Sequence, residues 1–263
     1  IEITDFGMEH EPECIQKYYE GCSSIGEIAK KAASFEGVDF LSFRMEGGDP
    51  NGADKPVEEL IGMLKDIASA VDLPIVVAGC KNVEKDSELL SKAAEVLDGR
   101  NAIILSAREE DYKTIGAAAG LAYKQIVGAE SAVDINLAKQ LNVLLTQLGV
   151  DGKSIAMNVG SAAAGYGFEY VVSTMQRVKA AALSQGDVQL QMPIMTPVAD
   201  EAWNVKEAMA SEADMPEWGS QEERGIDMEV ETAAAVLASG SNAVILKHPT
   251  SVATISKLIK ALV

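Results

Sequence analysis

Two short stretches hold the residues best suited to recognise a ligand. Asp134 and Asn136 offer a carboxylate and a carboxamide two positions apart, a pairing that can hydrogen-bond the edge of a heterocycle. Asp134 also stands where a helix would take its N-cap, and a cap needs no ligand. The second stretch is 154–170, SIAMNVGSAAAGYGFEY. There Asn158 and Ser161 follow an apolar run, and Gly165-Tyr166-Gly167 forms a turn whose glycines allow close backbone approach to a ligand or partner. His248, between Lys247 and Pro249, is either a structural or cap-forming histidine or a ring that touches a ligand. Arg44 and Arg108 suit phosphate, or pairing with carboxylates in so acidic a chain.

Metal and nucleophile chemistry find less support. His10 and His248 are the only two histidines, and neither HxH nor HExxH occurs. Cys14, Cys22 and Cys80 form no CxxC pair, so the usual thiolate spacing of an iron–sulfur cluster is missing. The thiols read as packing residues, with Cys80, just after Gly79, the one placed for reactivity. Neither a catalytic residue nor a metal ligand can be named from these patterns.

Composition narrows the classes further. At 263 residues, 48% hydrophobic and 24% charged, the chain can bury a sizeable core and is not a disordered sequence. Lys and Arg total 22 against 40 Asp and Glu, a net charge of -18, which argues against nucleic-acid binding. No apolar run of 18 residues and no signal peptide are found, so no membrane span is expected. Three scattered cysteines point to a reducing cytoplasm. The chain opens on Ile1, and the expectation is that an N-terminal part of the natural protein is missing.

Strand and helix signals repeat along the chain. Apolar runs predict strands beginning at Ile1, Val38, Ile75, Ala102, Gln125, Ser154, Val188 and Ala243. Between them, apolar residues at three and four spacing predict helices over 13–34, 56–70, 84–97, 109–123, 134–148, 168–183, 228–237 and 251–262. The seventh strand is expected over Val188–Met192, ended by Pro193 and Pro197. The segment from Asp200 to Ile226 reads as irregular, its front half (EAWNVKEAMA) suiting a short helix, with Trp203 and Trp218 either a lid, partner anchors or loop packing. Eight apolar strands alternating with helices predict an α/β fold, a (β/α)8 TIM barrel forming one domain over 1–263. An open doubly wound sheet is the competitor, but no GxGxxG follows the first strand. In a barrel, the polar residues above collect at the C-terminal ends of the strands, where such folds place their sites.

Several segments carry a resemblance. PIVVAGCKNVEKDSELL, VDINLAKQLNVLLTQLGV, AAGYGFEY, LQMPIMTPVADEAWNVKEA, PEWGSQEERG and LKHP stand in register from Val38 onward. In them the chain resembles the small (delta) subunit of the corrinoid/iron–sulfur protein of the acetyl-CoA decarbonylase/synthase pathway. The resemblance implies a TIM barrel similar to pterin-dependent methyltransferases. It implies a large corrinoid/iron–sulfur subunit as partner, holding cobalamin and a [4Fe-4S] cluster, with the barrel mouth capping the cobalamin. A methyltetrahydropterin methyltransferase and acetyl-CoA synthase are the further partners implied. The residues expected to face the cofactor are Asp134, Asn136, Asn158, Ser161, Tyr166, Gly167 and His248. One departure stands out. The family usually carries an Asp-Pro-Thr-Thr-like segment where this chain has Asn158-Val159-Gly160-Ser161, which suggests a divergent paralogue. The alternative reading is a stand-alone pterin-dependent methyltransferase holding the pterin with Asp134, Asn136 and Asn158. An unrelated barrel lyase or aldolase is a third, disfavoured by the lack of a convincing mid-barrel lysine.

Overall fold

All the predicted strands but the seventh are present, alternating with helices, in the computed structural model, which describes residues 1–262. The strands are β1 Glu2–Thr4, β2 Leu41–Arg44, β3 Ile75–Ala78, β4 Ile103–Ala107, β5 Ile126–Glu130, β6 Ile155–Asn158, β7 Met195–Pro197 and β8 Ala243–Ile245. The main helices between and after them are α1 Ile25–Ala33, α2 Val57–Ala70, α3 Val83–Val96, α4 Tyr112–Ile115 with its continuation Gly116–Ala122, α5 Ile135–Leu148, α6 Phe168–Ser184, α7 Gln221–Ser239 and α8 Pro249–Leu262. Single helical turns precede α1 and follow β7.

Strands β1 to β6 form one parallel sheet in chain order, and β7 pairs in parallel with β8. Thin seams close the ring. On one side the Met157 N–H donates to the Pro193 carbonyl at 2.7 Å, beside a lone Met157–Ile194 bridge. On the other the Glu2 N–H donates to the Leu246 carbonyl at 2.7 Å.

The period of two along each strand divides the core. Ile3, Phe43, Val77, Ile104, Val127 and Met157 belong to the large cluster shared with the helices. Val76, Leu105, Met195, Ala199 and Ile245 make a small cluster of their own inside the ring. The helices dock through the faces read from sequence: α2 buries Val57, Leu60, Ile61, Leu64 and Ile67. Fully burying side chains of this kind contributes about 1.5–3 kcal/mol each.

Helix ends follow local chemistry. Asp134 caps α5, and Gly149, at φ 109°, stops it in a left-handed conformation that glycine adopts without strain. At α1, Ser24 Oγ accepts the Glu27 N–H while Glu27 accepts from the Ser23 N–H and hydroxyl.

Two expectations need correction. Val188–Met192 is not a strand: Asp187 accepts the Gln189 N–H and winds Val188–Leu190 into a 3-10 turn. The seventh strand lies later, at Met195–Pro197, so Pro193 precedes it and Pro197 belongs to it. Pro197, lacking an N–H, is tolerated because β7 has its ladder with β8 and only the lone bridge to β6. Helix α7 also starts earlier than predicted, because Ser220 accepts the Glu223 N–H and caps it. Both tryptophans pack the intervening segment. Trp203 is buried against Gly225, where a Cβ would lie 2.2 Å from the indole. Trp218 lies beneath Lys206 and Arg224.

Candidate functional site at the barrel mouth

A cavity of ≈ 290 Å³ opens at the C-terminal ends of the strands. Its wall takes Glu2 from β1, Arg44 from β2, Ala78 from β3, Leu105 and Ser106 from β4, Glu130 from β5, Asn158 from β6 and Ile245 from β8.

Paired charges run around this mouth. Arg44 Nη1 lies 3.0 Å from Asp200, Nη2 3.0 Å from Glu46, and Nε 3.4 Å from Glu2. Asp200 also binds Lys81 Nζ at 2.7 Å. The Lys81 carbonyl accepts from Arg108 at 3.2 Å, and Arg108 Nε reaches Glu130 at 3.3 Å. Burial opposes charge at Arg44, Asp200 and Glu2, and neighbouring ions offset it at the first two. Burial would lower the pKa of Arg44, yet the carboxylates of Glu2, Asp200 and Glu46 hold it above its ordinary value. Burial would raise Asp200, yet Arg44 and Lys81 keep it below the usual carboxylate range. Glu2 is the exception: burial raises its carboxyl despite Arg44.

Ser106 of β4 and Asn158 of β6 add neutral groups to the wall. The Asn158 amide donates to Ser106 Oγ at 3.3 Å, and its Oδ1 accepts the Gly160 N–H at 3.1 Å. Ser161 Oγ is buried without a hydrogen-bond partner. Below the rim, buried Asp86 accepts from the Cys80 N–H at 2.7 Å and the thiol at 3.2 Å. Burial pushes the Cys80 thiol up to about 12, which keeps it protonated and poorly nucleophilic.

Of the residues expected to face a cofactor, the mouth brings together Asn158 and Ser161. Asp134 is exposed, and its Oδ1 accepts the Asn136 and Leu137 N–H groups at 2.8 and 3.2 Å. It therefore serves as a cap, and exposed Asn136 lies on the first turn of α5, off the cavity wall. Tyr166 is 51% exposed and donates to Glu207 at 2.6 Å, tying the β6 and β7 loops. Gly167, at φ 80°, precedes the first turn of α6.

His248 is fully buried away from the cavity wall. It stacks on Trp203 with centroids 5.8 Å apart and meets Tyr18 edge-on at 5.1 Å. Its Nδ1 accepts the Thr250 N–H, and Nε2 lies 3.3 Å from Glu222, which Lys17 and Tyr18 also bind. Burial lowers its pKa to about 4, outweighing Glu222. Between the unfolded value near 6.5 and that native value, the unfolded chain takes up a proton that the fold refuses. The stabilisation is thus complete above pH ~6.5 and lost as pH falls, by about 2 kcal/mol between pH 7 and 5. His248→Asn keeps an acceptor for Thr250 and should flatten that part of the acid slope in denaturant titrations. An unchanged slope would exclude His248 as its source.

Sequence reasoning missed Glu2, Asp86, Asp200 and Val133 on this wall. Glu2 did leave a signal: it is a charge inside the buried-looking run Ile1 to Thr4. Among the described residues no group of three or more His, Cys, Asp and Glu is arranged to hold a metal ion. No described helix is long and apolar enough to cross a membrane.

A family model described as CO dehydrogenase/acetyl-CoA synthase delta subunit matches residues 1–253. The chain belongs to this delta-subunit family. It is 34% identical over 269 residues to acetyl-CoA decarbonylase/synthase complex subunit delta 1 of Methanosarcina thermophila, covering 100% of the chain and 61% of that relative. The delta subunit of Archaeoglobus fulgidus is 33% identical over 94% of the chain and 56% of its own length. The delta-family chain thus spans about three fifths of the curated relatives it matches. Among solved structures, dihydropteroate synthase of Xanthomonas albilineans with 4-aminobenzoic acid aligns with a TM-score of 0.58 and 14% identity, over 100% of the chain and 90% of that structure. The Thermus thermophilus synthase in complex with 6HMPPP gives 0.56 at 15% identity, over 89% and 87%. At such identities the likeness speaks for the fold alone, and that fold is the TIM barrel.

Proposed function

We propose that this delta-family barrel caps the corrinoid of a methyl carrier, its mouth lying over one face of a cobalamin held by a larger partner subunit. That partner would also carry the [4Fe-4S] cluster. When bound, the corrinoid supplies the cobalt that carries a methyl group from methyltetrahydropterin, through a separate methyltransferase, towards acetyl-CoA synthase.

One observation carries the reading: every cation on the cavity wall is already paired. Arg44, Lys81 and Arg108 are each bound to carboxylates. Apart from Glu201, whose carboxyl pKa burial raises, what remains to meet a ligand is neutral, including Asn158, Ser161, Ser106, Val133 and Leu105. Such a surface fits a lid. The cavity of ≈ 290 Å³ admits a projecting side group, while a macrocycle would rest on the rim. The unpartnered Ser161 hydroxyl and the Asn158 amide are placed to bind polar groups of such a ring. The paired charges hold the loops of the mouth in place, and the protein supplies orientation and exclusion of water.

Affinity capture of the tagged chain from its native cells, with a visible spectrum of the eluate, tests this. A larger subunit with corrinoid and iron–sulfur absorbance is expected. A colourless chain captured alone would overturn the reading. Saturable binding of methyltetrahydropterin by that lone chain would instead support the stand-alone methyltransferase, of whose three proposed pterin contacts only Asn158 lines the mouth.

A further inference from the structure

The chain leaves β5 for α5 through two consecutive residues with left-handed backbone, Ala132 at φ 42° and Val133 at φ 60°. A β-branched residue in this region is a genuine outlier, since its side chain crowds the following carbonyl. Glycine or asparagine is what folding alone would place there.

The contacts that hold this conformation are made by the main chain. The Val133 N–H donates to the Val159 carbonyl at 2.8 Å, and its own carbonyl accepts from Thr174 Oγ1 at 3.0 Å. The Asp134 N–H closes the turn onto the Ser131 carbonyl at 3.1 Å. Gly160 packs alongside, where a Cβ would come within 3.4 Å of the Val133 nitrogen. Any residue at 133 would keep these bonds, so none of them calls for an isopropyl group. Yet Val133 as a residue is 43% exposed, and it is the one exposed large hydrophobic among the described residues of the cavity wall. Strained backbone persists where the surroundings over-determine it, and it gathers at functional sites.

We infer that Val133 is a specificity-determining contact, the apolar point at which the mouth meets the face of its ligand. The inference rests on the capping reading, so that face is the corrin macrocycle presented by the partner subunit. A conjugated ring face offers dispersion contacts and few hydrogen bonds, which an isopropyl group matches. The turn fixes the side chain before the ligand arrives, so little freedom is lost on contact.

Val133→Gly and Val133→Asn test this, because both residues accept the left-handed conformation and both remove the branched apolar group. Two readouts are needed: the thermal midpoint of the chain alone, and the Kd for the corrinoid-loaded partner subunit. The midpoint is expected to hold or to rise by about 2–4 °C as strain is relieved. The Kd is expected to weaken about tenfold in both variants, roughly 1.4 kcal/mol. A falling midpoint in both would make Val133 a packing residue and overturn the inference. An unchanged Kd in either variant, with the parent chain binding normally, would overturn the inference alone. Failure of the parent chain to bind the loaded partner would overturn the capping reading, and this inference with it.

Discussion

Arg44→Met is expected to lower stability by about 3–5 kcal/mol, as breaking a buried ion pair does by stranding the partner charge. At this chain length that corresponds to a fall in thermal midpoint of about 6–20 °C. Glu2 is 3% exposed and Asp200 9% exposed, so neither carboxylate can turn to water for compensation. Arg44 is the cation paired with Glu2, shares Asp200 with Lys81, and also holds Glu46. Methionine fills similar space but answers none of them. A second substitution separates charge from packing. Glu2→Gln in the Arg44→Met background should restore part of the loss, because the stranded charge is gone, and the thermodynamic cycle should be non-additive. A single-variant loss below about 1 kcal/mol would mean that water already screens the network as it does a surface pair.

Glu229→Leu is the second large loss, about 2–5 kcal/mol by chemical denaturation. Glu229 is fully buried on α7, and its carboxylate accepts the backbone N–H groups of both Lys247 and His248. These residues join β8 to α8, and the first turn of α8 continues directly from them. Leucine leaves two buried donors unanswered, each costing about 1–3 kcal/mol. Burial raises the Glu229 carboxyl pKa, so ionising it in place opposes folding. Glu229→Gln retains one acceptor and no charge, and should lose clearly less than leucine. Equal losses for the two variants would show that shape rather than hydrogen bonding matters at this junction.

The barrel was legible because periodicity is a local property. Ile75–Ala78 could be read from its unbroken apolar run and the α5 boundaries from their caps, and the order of eight repeats followed from such signals. The seventh strand was misplaced because Val188-Gln189-Leu190-Gln191 alternates like a strand, while the neighbouring Asp187 decides for a turn. The site was harder. Asp134 and Asn136 had the right functional groups for a ligand, yet their helix used the carboxylate for its own N–H groups. His248 had the right chemistry in the wrong direction, since Trp203 and Tyr18 enclose its ring. Arg44 and Arg108 paired with carboxylates, as the acidic balance favoured. The ionic ring itself joins residues up to Asp200, and no spacing rule along the chain encodes contacts that distant. Val133 was invisible for another reason: its significance lies in a backbone angle, not in its residue type.

The unequal closure of the ring gives the molecule a directional compliance. Strands β1 to β6 resist expansion through successive parallel ladders, whereas β7 and β8 adjoin them through single hydrogen bonds and one bridge. A load pressing on the mouth from above would therefore not dilate it evenly. The circumference yields first along the two seams, and the six-strand wall carrying Val133 and Asn158 keeps its spacing. Arg44 and Lys81, both bound to Asp200 just beyond β7, strap the yielding arc back to the stiff one. Their ion pairs then act as tethers limiting the stroke of that movement, a mechanical duty separate from any charge they present to a ligand.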